Sequence, residues 1–346
     1  MAGSQRPVAP NVLFADGVFE GGGVKGIALV GALSAFESRG FKWRNLAGTS
    51  AGAIVASLLA SGYSAEELKD IIGRIDYTKF EDASAVGRIP LVGPVISLLT
   101  SKALYKGDFF EEWLRGLLRE KGISTFRDLK KKDDDGTSFT YKLNVITSDI
   151  SNQRLVVLPS GLGKYGIEPD EFSVARAVRM SMSIPLFFRP QKVAGSLFVD
   201  GGILSNFPIW LFDAAGRPRW PTFGFKLVEP ESAEPQPSRR LLEFSRAILD
   251  TMKNAHDKMT VEDVDMERTI AIPTLGVKTT QFDLSAEQRD RLYQSGLDTA
   301  TRFLQTYTFD KYVAGSESRH GELYRRHVER SRHSMRLEAQ GDRPSE

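Results

Sequence analysis

The chain has 346 residues, 41% of them apolar and 26% charged, with a formal net charge of +2. That length and mixture belong to a globular protein of one large domain or two modest ones, and the charge gives no reason to expect a nucleic-acid partner. With no cysteine, a disulfide framework, a thiolate zinc site and a cysteine nucleophile are all excluded.

The N-terminal MAGSQRPVAPNVLF lacks the basic start and apolar run of a secretory leader. The longest apolar stretch, Ile89–Leu99, is interrupted by Pro94 and falls far short of the roughly 20 residues a spanning helix needs. The expected location is cytoplasmic; secretion without a cleaved signal would leave no trace in the sequence.

Residues 11–20 read as a strand, followed by the glycine loop FEGGGVKG. Residues 24–39 place Ile27, Val30, Leu33 and Phe36 at helical spacing, and Gly40 ends that helix. A short strand over 41–47 leads into GTSAGA and a helix over 51–61. Ser64 and Glu67 form a capping box for a third helix. Strand, loop, helix, strand, tight turn and helix in succession predict a parallel α/β sheet. Residues 84–106, rich in Gly, Pro and apolar side chains, break the pattern. Asp108 is expected to cap a helix to about Lys121, and KKKDDDG to form an exposed turn. YKLNVITSD and QRLVVLP are strand-like, and 173–182 is a short helix. GSLFVDGG, PTFGFKLV and 268–273 read as strands, with PESAEPQPS a surface link. Residues 239–263 and 285–306 have the pattern of amphipathic helices. Beyond Tyr312 the chain is almost entirely polar and is expected to be exposed.

The glycine loop after a strand matches a dinucleotide fingerprint, which demands an acidic residue at the end of the second strand. Asn45-Leu46-Ala47-Gly48 supplies none, and GGGVKGI lacks the Gly-Lys-Ser/Thr ending of a phosphate loop. A nucleotide-binding protein is therefore the weaker reading. Gly48-Thr49-Ser50-Ala51-Gly52 instead fits the G-x-S-x-G turn that sets a nucleophile between strand and helix. The helix starting at Ala51 directs its N–H groups toward Ser50. Both glycine-bearing turns end parallel strands, so they are expected on one sheet edge. There the loop Gly21, Gly22, Gly23, Val24, Lys25 and Gly26 would serve as an oxyanion hole.

A serine nucleophile needs a base. The four histidines are His256, His320, His327 and His333; three fall in the polar tail and His256 on a solvated helix face. A triad using His256 is the alternative to a dyad using Asp200, which ends the apolar run Leu197–Val199 and precedes Gly201 and Gly202. A plain Asp-Gly turn is the bland reading of that motif.

Taken in order, GGGVKG, GTSAG and DGG resemble the motifs of the patatin-like phospholipases, over about residues 12–230. VITSDISNQRLVVLP, ARAVRMSMSIPLFFRP and the Asn206 and Pro208 that follow Asp200 extend the resemblance. It implies an α/β three-layer sandwich with a mostly parallel sheet and helices on both faces. The domain would span 12–310, with 311–346 a charged tail. It also implies hydrolysis of lipid acyl esters by a Ser50–Asp200 dyad through an acyl-enzyme, without metal or other cofactor. The substrate would be a membrane phospholipid or related acyl lipid, reached by peripheral membrane contact. Lys25 stands where the family has Arg or Lys, either bracing the loop or meeting an anionic head group. Residues 89–105 are read as a lid or membrane-facing surface, with a core-packing or dimer-contact loop as the alternative.

Overall fold

The structure, a computed structural model, describes residues 13–75, 79, 82, 102–132, 139–213, 217–229, 251, 263–279 and 281–319. Strand β1 (Leu13–Phe19) passes through a 3-10 turn, Gly23–Lys25, into α1 (Gly26–Ser38). Then come β2 (Phe41–Thr49), α2 (Ala51–Ala60), α3 (Ala65–Gly73), β3 (Ala103–Tyr105) and α4 (Asp108–Glu120). The middle of the chain holds β4 (Lys130–Lys132), β5 (Phe139–Tyr141), β6 (Leu143–Asp149), β7 (Arg154–Leu158) and α5 (Val174–Ser181). After these come β8 (Leu186–Phe188), β9 (Gln191–Val193), β10 (Ser196–Asp200), β11 (Thr222–Val228), β12 (Thr269–Pro273), α6 (Ala286–Thr306) and α7 (Phe309–Arg319).

Among the described residues the main sheet has eight strands in the order β12-β11-β1-β2-β6-β10-β9, with β7 also paired to β6. The five strands β12 to β6 run parallel, and β7 and β10 run antiparallel to β6. This is the mostly parallel α/β sandwich expected from the sequence. Strand alternation divides its faces. Ala15, Phe19 and Leu46 join the main core with α1 and α2, while Val18 and Ala47 turn to the opposite face and meet Phe207 and Ile209. An aromatic cluster welds α1 to the sheet: Phe36 lies 4.8 Å from Phe223, 5.2 Å from Phe225 and 5.8 Å from Trp43. Truncating a buried phenylalanine of this kind typically costs about 3–5 kcal/mol. Helices α1 and α6 cross at near backbone contact, because a Cβ on Gly31 would collide with the Tyr293 carbonyl and one on Gly296 with that of Ala28.

Several local expectations change. Strand β2 runs to Thr49 and delivers the chain directly into Ser50. Helix α4 is capped not by Asp108 but by the distant Asp82 carboxylate, which accepts from the N–H groups of Gly107 (2.6 Å), Asp108 (2.7 Å) and Phe109 (3.1 Å). The lysines that open KKKDDDG form β4, paired with β5. The expected tail boundary at 310/311 falls inside α7, where Tyr312, Val313 and Ser316 are buried. Residues 89–101 of the apolar insertion, all but Thr251 and Asp263 of the long helix expected over 239–263, and all four histidines lie outside the described residues, and Asp263 opens a 3-10 turn.

Candidate active site

Three strand ends meet along one edge of the sheet. Strand β7 holds one edge of β6, and on the other edge Thr49 pairs with Ile146 and Asp200 with Thr147, so the ends of β2 and β10 meet there at successive positions of β6. Ser50 is buried at the N-terminus of α2 with φ 53° and ψ −123°, a conformation that side chains disfavour. The turn is sharp because helix and sheet touch: a Cβ at Gly52 would strike the carbonyl oxygens of Phe19 and Glu20, and one at Gly48 the Gly52 carbonyl. Thr49 Oγ1 donates to the Ser205 carbonyl at 3.2 Å, which ties the turn to the segment after Asp200.

The residues around Ser181 hold both candidate groups. Ser181 Oγ accepts from the Ser50 N–H at 2.9 Å and donates to the Ile146 carbonyl at 2.5 Å. The Ser183 carbonyl accepts from the Asp200 N–H at 3.0 Å. Between them Met182 places its Sδ 3.6 Å from Ser50 Oγ. Asp200 Oδ1 accepts from the Gly202 N–H at 2.7 Å, whereas Oδ2 is buried without a partner among the described residues. Gly201 packs so closely on β6 that a Cβ would strike the Ile146 carbonyl. No Ser50–Asp200 hydrogen bond is formed.

The glycine loop is tighter than its sequence implies. Gly21 N–H donates to the Asn206 carbonyl (3.3 Å), Val24 N–H to that of Thr279 (3.1 Å) and Lys25 N–H to that of Gly22 (3.3 Å). Gly26 N–H is turned to Gly23. The six-residue oxyanion loop expected from the sequence therefore narrows to two open donors, the N–H groups of Gly22 and Gly23, which have no partner among the described residues. Ala51 N–H, the first of α2, is open in the same sense. Gly23 adopts φ +58°, and a Cβ there would collide with Thr279. Lys25 is buried and its Nζ meets Glu229 Oε1 at 2.7 Å, so it braces the loop against the end of β11.

Sequence reading gave no role to three supports. Glu20 is buried; its Oε2 accepts from Leu227 N–H at 2.5 Å and its Oε1 from Asn206 Nδ2 at 3.2 Å. Asn206 Nδ2 also donates to the Gly21 carbonyl at 3.2 Å, so the pair clamps the start of the glycine loop. A Cβ at Gly21 would run into Asn206 Oδ1 and lie 3.1 Å from Ser50 Cβ, which puts the clamp beside the serine. Arg179 is fully buried and donates to the Gly107 carbonyl (2.9 Å), the Arg189 carbonyl (3.1 Å), the Lys106 carbonyl and Ser183 Oγ (2.7 Å). Burial pushes its pKa down to about 10 against the pull of Asp108, Asp82 and Glu111. The pattern of α5 marks no special position there; only the charge in an otherwise apolar and small-residue stretch signals it.

A strand–turn–helix serine, a glycine loop and an aspartate at one carboxyl edge of a parallel sheet define an α/β protein built around a nucleophile-type elbow. The chain belongs to the patatin-like phospholipase family, whose model matches residues 17–213. An uncharacterized protein of Bacillus subtilis (strain 168), YqhO, is 41% identical over 303 residues, covering 86% of this chain and all of the relative. The probable lipid hydrolase 463L of Invertebrate iridescent virus 6 is 25% identical over 200 residues, covering 56% of this chain and 61% of that protein. The lysophospholipase NTE1 of Lodderomyces elongisporus is 29% identical over 195 residues, which cover 56% of this chain and 11% of that protein. VipD from Legionella pneumophila shares the fold with a TM-score of 0.51 and 20% identity, over 86% of this chain and 67% of its own.

Proposed function

We propose that this chain hydrolyses carboxylic esters of phospholipids or related acyl lipids through a Ser50–Asp200 dyad. The observation that carries the reading is the meeting of Ser50 and Asp200 on one edge of β6, with Asp200 Oδ2 and the N–H groups of Gly22, Gly23 and Ala51 unpartnered among the described residues. The named activities of the lipid-hydrolase and lysophospholipase relatives support the substrate class.

In this mechanism Ser50 Oγ rotates from Met182 toward Asp200 Oδ2, gives up its proton and attacks the acyl carbonyl. The open N–H groups hold the oxyanion, and the positive end of α2 favours its charge. Asp200 returns the proton to the leaving alcohol or lysolipid. A water deprotonated by Asp200 then releases the fatty acid. Metal and cofactor have no step in this scheme. No helix among the described residues is long and apolar enough to cross a membrane.

Ser50→Ala and Asp200→Asn should each lower turnover of a chromogenic short-chain ester and of phospholipid by about a thousandfold or more. The double variant should be little worse than either single one, because the two act as a unit. His256→Ala should retain most activity. Near-normal turnover by Asp200→Asn, or collapse in His256→Ala, would replace the dyad with the histidine-dependent alternative.

A further inference from the structure

A cavity of about 570 Å³ opens at the other end of the sheet, where β1 and β2 begin. Seven strand residues and more separate it from the serine, so it lies about 20 Å from the candidate catalytic edge. Its volume is in the range of small-molecule sites, which lie between about 300 and 1,000 Å³. Leu13, Phe14, Trp220 and Phe309 give it an apolar wall, and Leu13 and Phe14 are 43% and 44% exposed. The aromatic part of that wall is fixed: Phe14 and Trp220 meet edge to face at 6.4 Å, with the Arg44 guanidinium 5.7 Å and 5.4 Å from their rings.

Charge at the cavity has one sign. Arg39 and Arg219 line it, both exposed, and none of its described lining residues is acidic. The same wall holds Tyr307, whose hydroxyl is buried and has no partner among the described residues. Burial and the nearby Tyr312 raise the Tyr307 pKa, so the phenol stays a hydrogen-bond donor. Two guanidinium groups suit an anionic head, and the aromatic wall suits an alkyl chain.

We propose that this cavity is a second, non-catalytic lipid site that binds a long-chain fatty carboxylate, with its head between Arg39 and Arg219 and its chain along Phe14 and Trp220. The reading of Ser50 as a lipid-ester nucleophile bears only on where such an acid arises, as the released product; the site itself stands apart from it.

Tryptophan quenching by 9,10-dibromostearate tests the site on the full chain carrying Ser50→Ala, below the micellar concentration of the acid and with stearate as the unbrominated control. Saturable quenching is expected, and Trp220→Phe should abolish most of it, since bromine quenches only at contact. Charge reversal, Arg39→Glu with Arg219→Glu, should weaken binding about tenfold or more, while the Arg39→Lys, Arg219→Lys pair stays within about threefold of the parent. Dibromo-octadecanol, which lacks the charge, should not distinguish the two pairs. Circular dichroism checks that each variant is folded. Quenching of equal amplitude in Trp220→Phe, or an affinity untouched by charge reversal, would overturn the proposal. Ester turnover by the Ser50-intact protein is a separate readout, so loss of one reading leaves the other standing.

Discussion

The backbone at Ser50 offers a stability experiment that is independent of any substrate. Residues held at φ 53°, ψ −123° without being glycine carry strain of order 1–3 kcal/mol. Consider Ser50→Ala and Ser50→Gly, both lacking the hydroxyl. At an unstrained buried position, glycine loses to alanine by about 0.5–1 kcal/mol of chain entropy. It loses about 0.8 kcal/mol more from the missing buried methyl. Glycine should then be the less stable by roughly 1.5 kcal/mol. The strain at Ser50 persists in alanine and vanishes in glycine, so it offsets that deficit and should bring Ser50→Gly level with Ser50→Ala or above it. The remaining local bonds are shared: the residue-50 N–H still donates to Ser181 Oγ, and the 3.6 Å approach of the hydroxyl to Met182 is lost in both variants. Urea unfolding followed by tryptophan fluorescence gives the comparison directly, with equal m-values as the check that the same surface is exposed. A glycine variant less stable than alanine by about 1.5 kcal/mol would show that the elbow stores no strain.

Further outcomes follow from the supports of the loop. In Glu20→Gln a single carboxamide oxygen faces two donors, Leu227 N–H and Asn206 Nδ2, so one of them is left opposed at a cost of about 1–3 kcal/mol. Steady-state kinetics should show a lower kcat with little change in KM, and an unchanged kcat would remove Glu20 from the positioning of the loop. The Lys25–Glu229 pair is lopsided, with side chains 5% and 63% exposed, so Glu229→Ala strands a buried ammonium while Lys25→Met frees an exposed carboxylate. Thermal melting should find Glu229→Ala the more damaging, and the reverse order would show that the pair does not brace the loop. Asp149 is opposed by burial, but donors from Tyr165 (2.6 Å), Asn152 (2.6 Å) and the Ser151 N–H (2.9 Å) prevail and depress its pKa. Its contribution is whole above the unfolded aspartate value of about 3.9 and is lost as pH falls through the lower folded value. The stability gap between wild type and Asp149→Asn should therefore shrink as the solution is acidified below about pH 4; a gap independent of pH would contradict this.

What the sequence disclosed divides by the range of the interactions involved. The capping box of Ser64 and Glu67 closes within four residues, and both bonds form, Glu67 N–H to Ser64 Oγ at 3.2 Å and Ser64 N–H to Glu67 Oε2 at 2.7 Å. The helix face of Ile27, Val30, Leu33 and Phe36 is buried as its spacing predicts. The order of strand, loop and helix set Ser50 and the glycine loop on one edge because parallel strands leave no other choice. Asp82, 26 residues before the α4 N–H group it caps, left no local mark. Neither did the Glu20–Asn206 clamp, whose members stand 186 residues apart. The strand expected over 41–47 stops two residues short of the end of β2 because Gly48 and Thr49 look like turn residues in isolation, yet the helix behind Gly48 leaves no room for a side chain there. In α7 the buried Tyr312 and Val313 sit among polar neighbours, too few to show a period.

The tie between Val24 N–H and the Thr279 carbonyl, and that between Glu20 and Leu227 N–H, cross the limit of the family match at residue 213. The span of the family match and the working unit are thus of different lengths. A recombinant fragment ending at 213 would keep Ser50 and Asp200 but lose the strand on the open side of β1, the partner of Lys25 and the helix lying across α1. Its glycine loop would be fastened on one side only. For anyone trimming this protein for crystals or grafting its elbow onto another scaffold, the cut belongs beyond α7, whose Tyr312 accepts from the Thr222 N–H of β11.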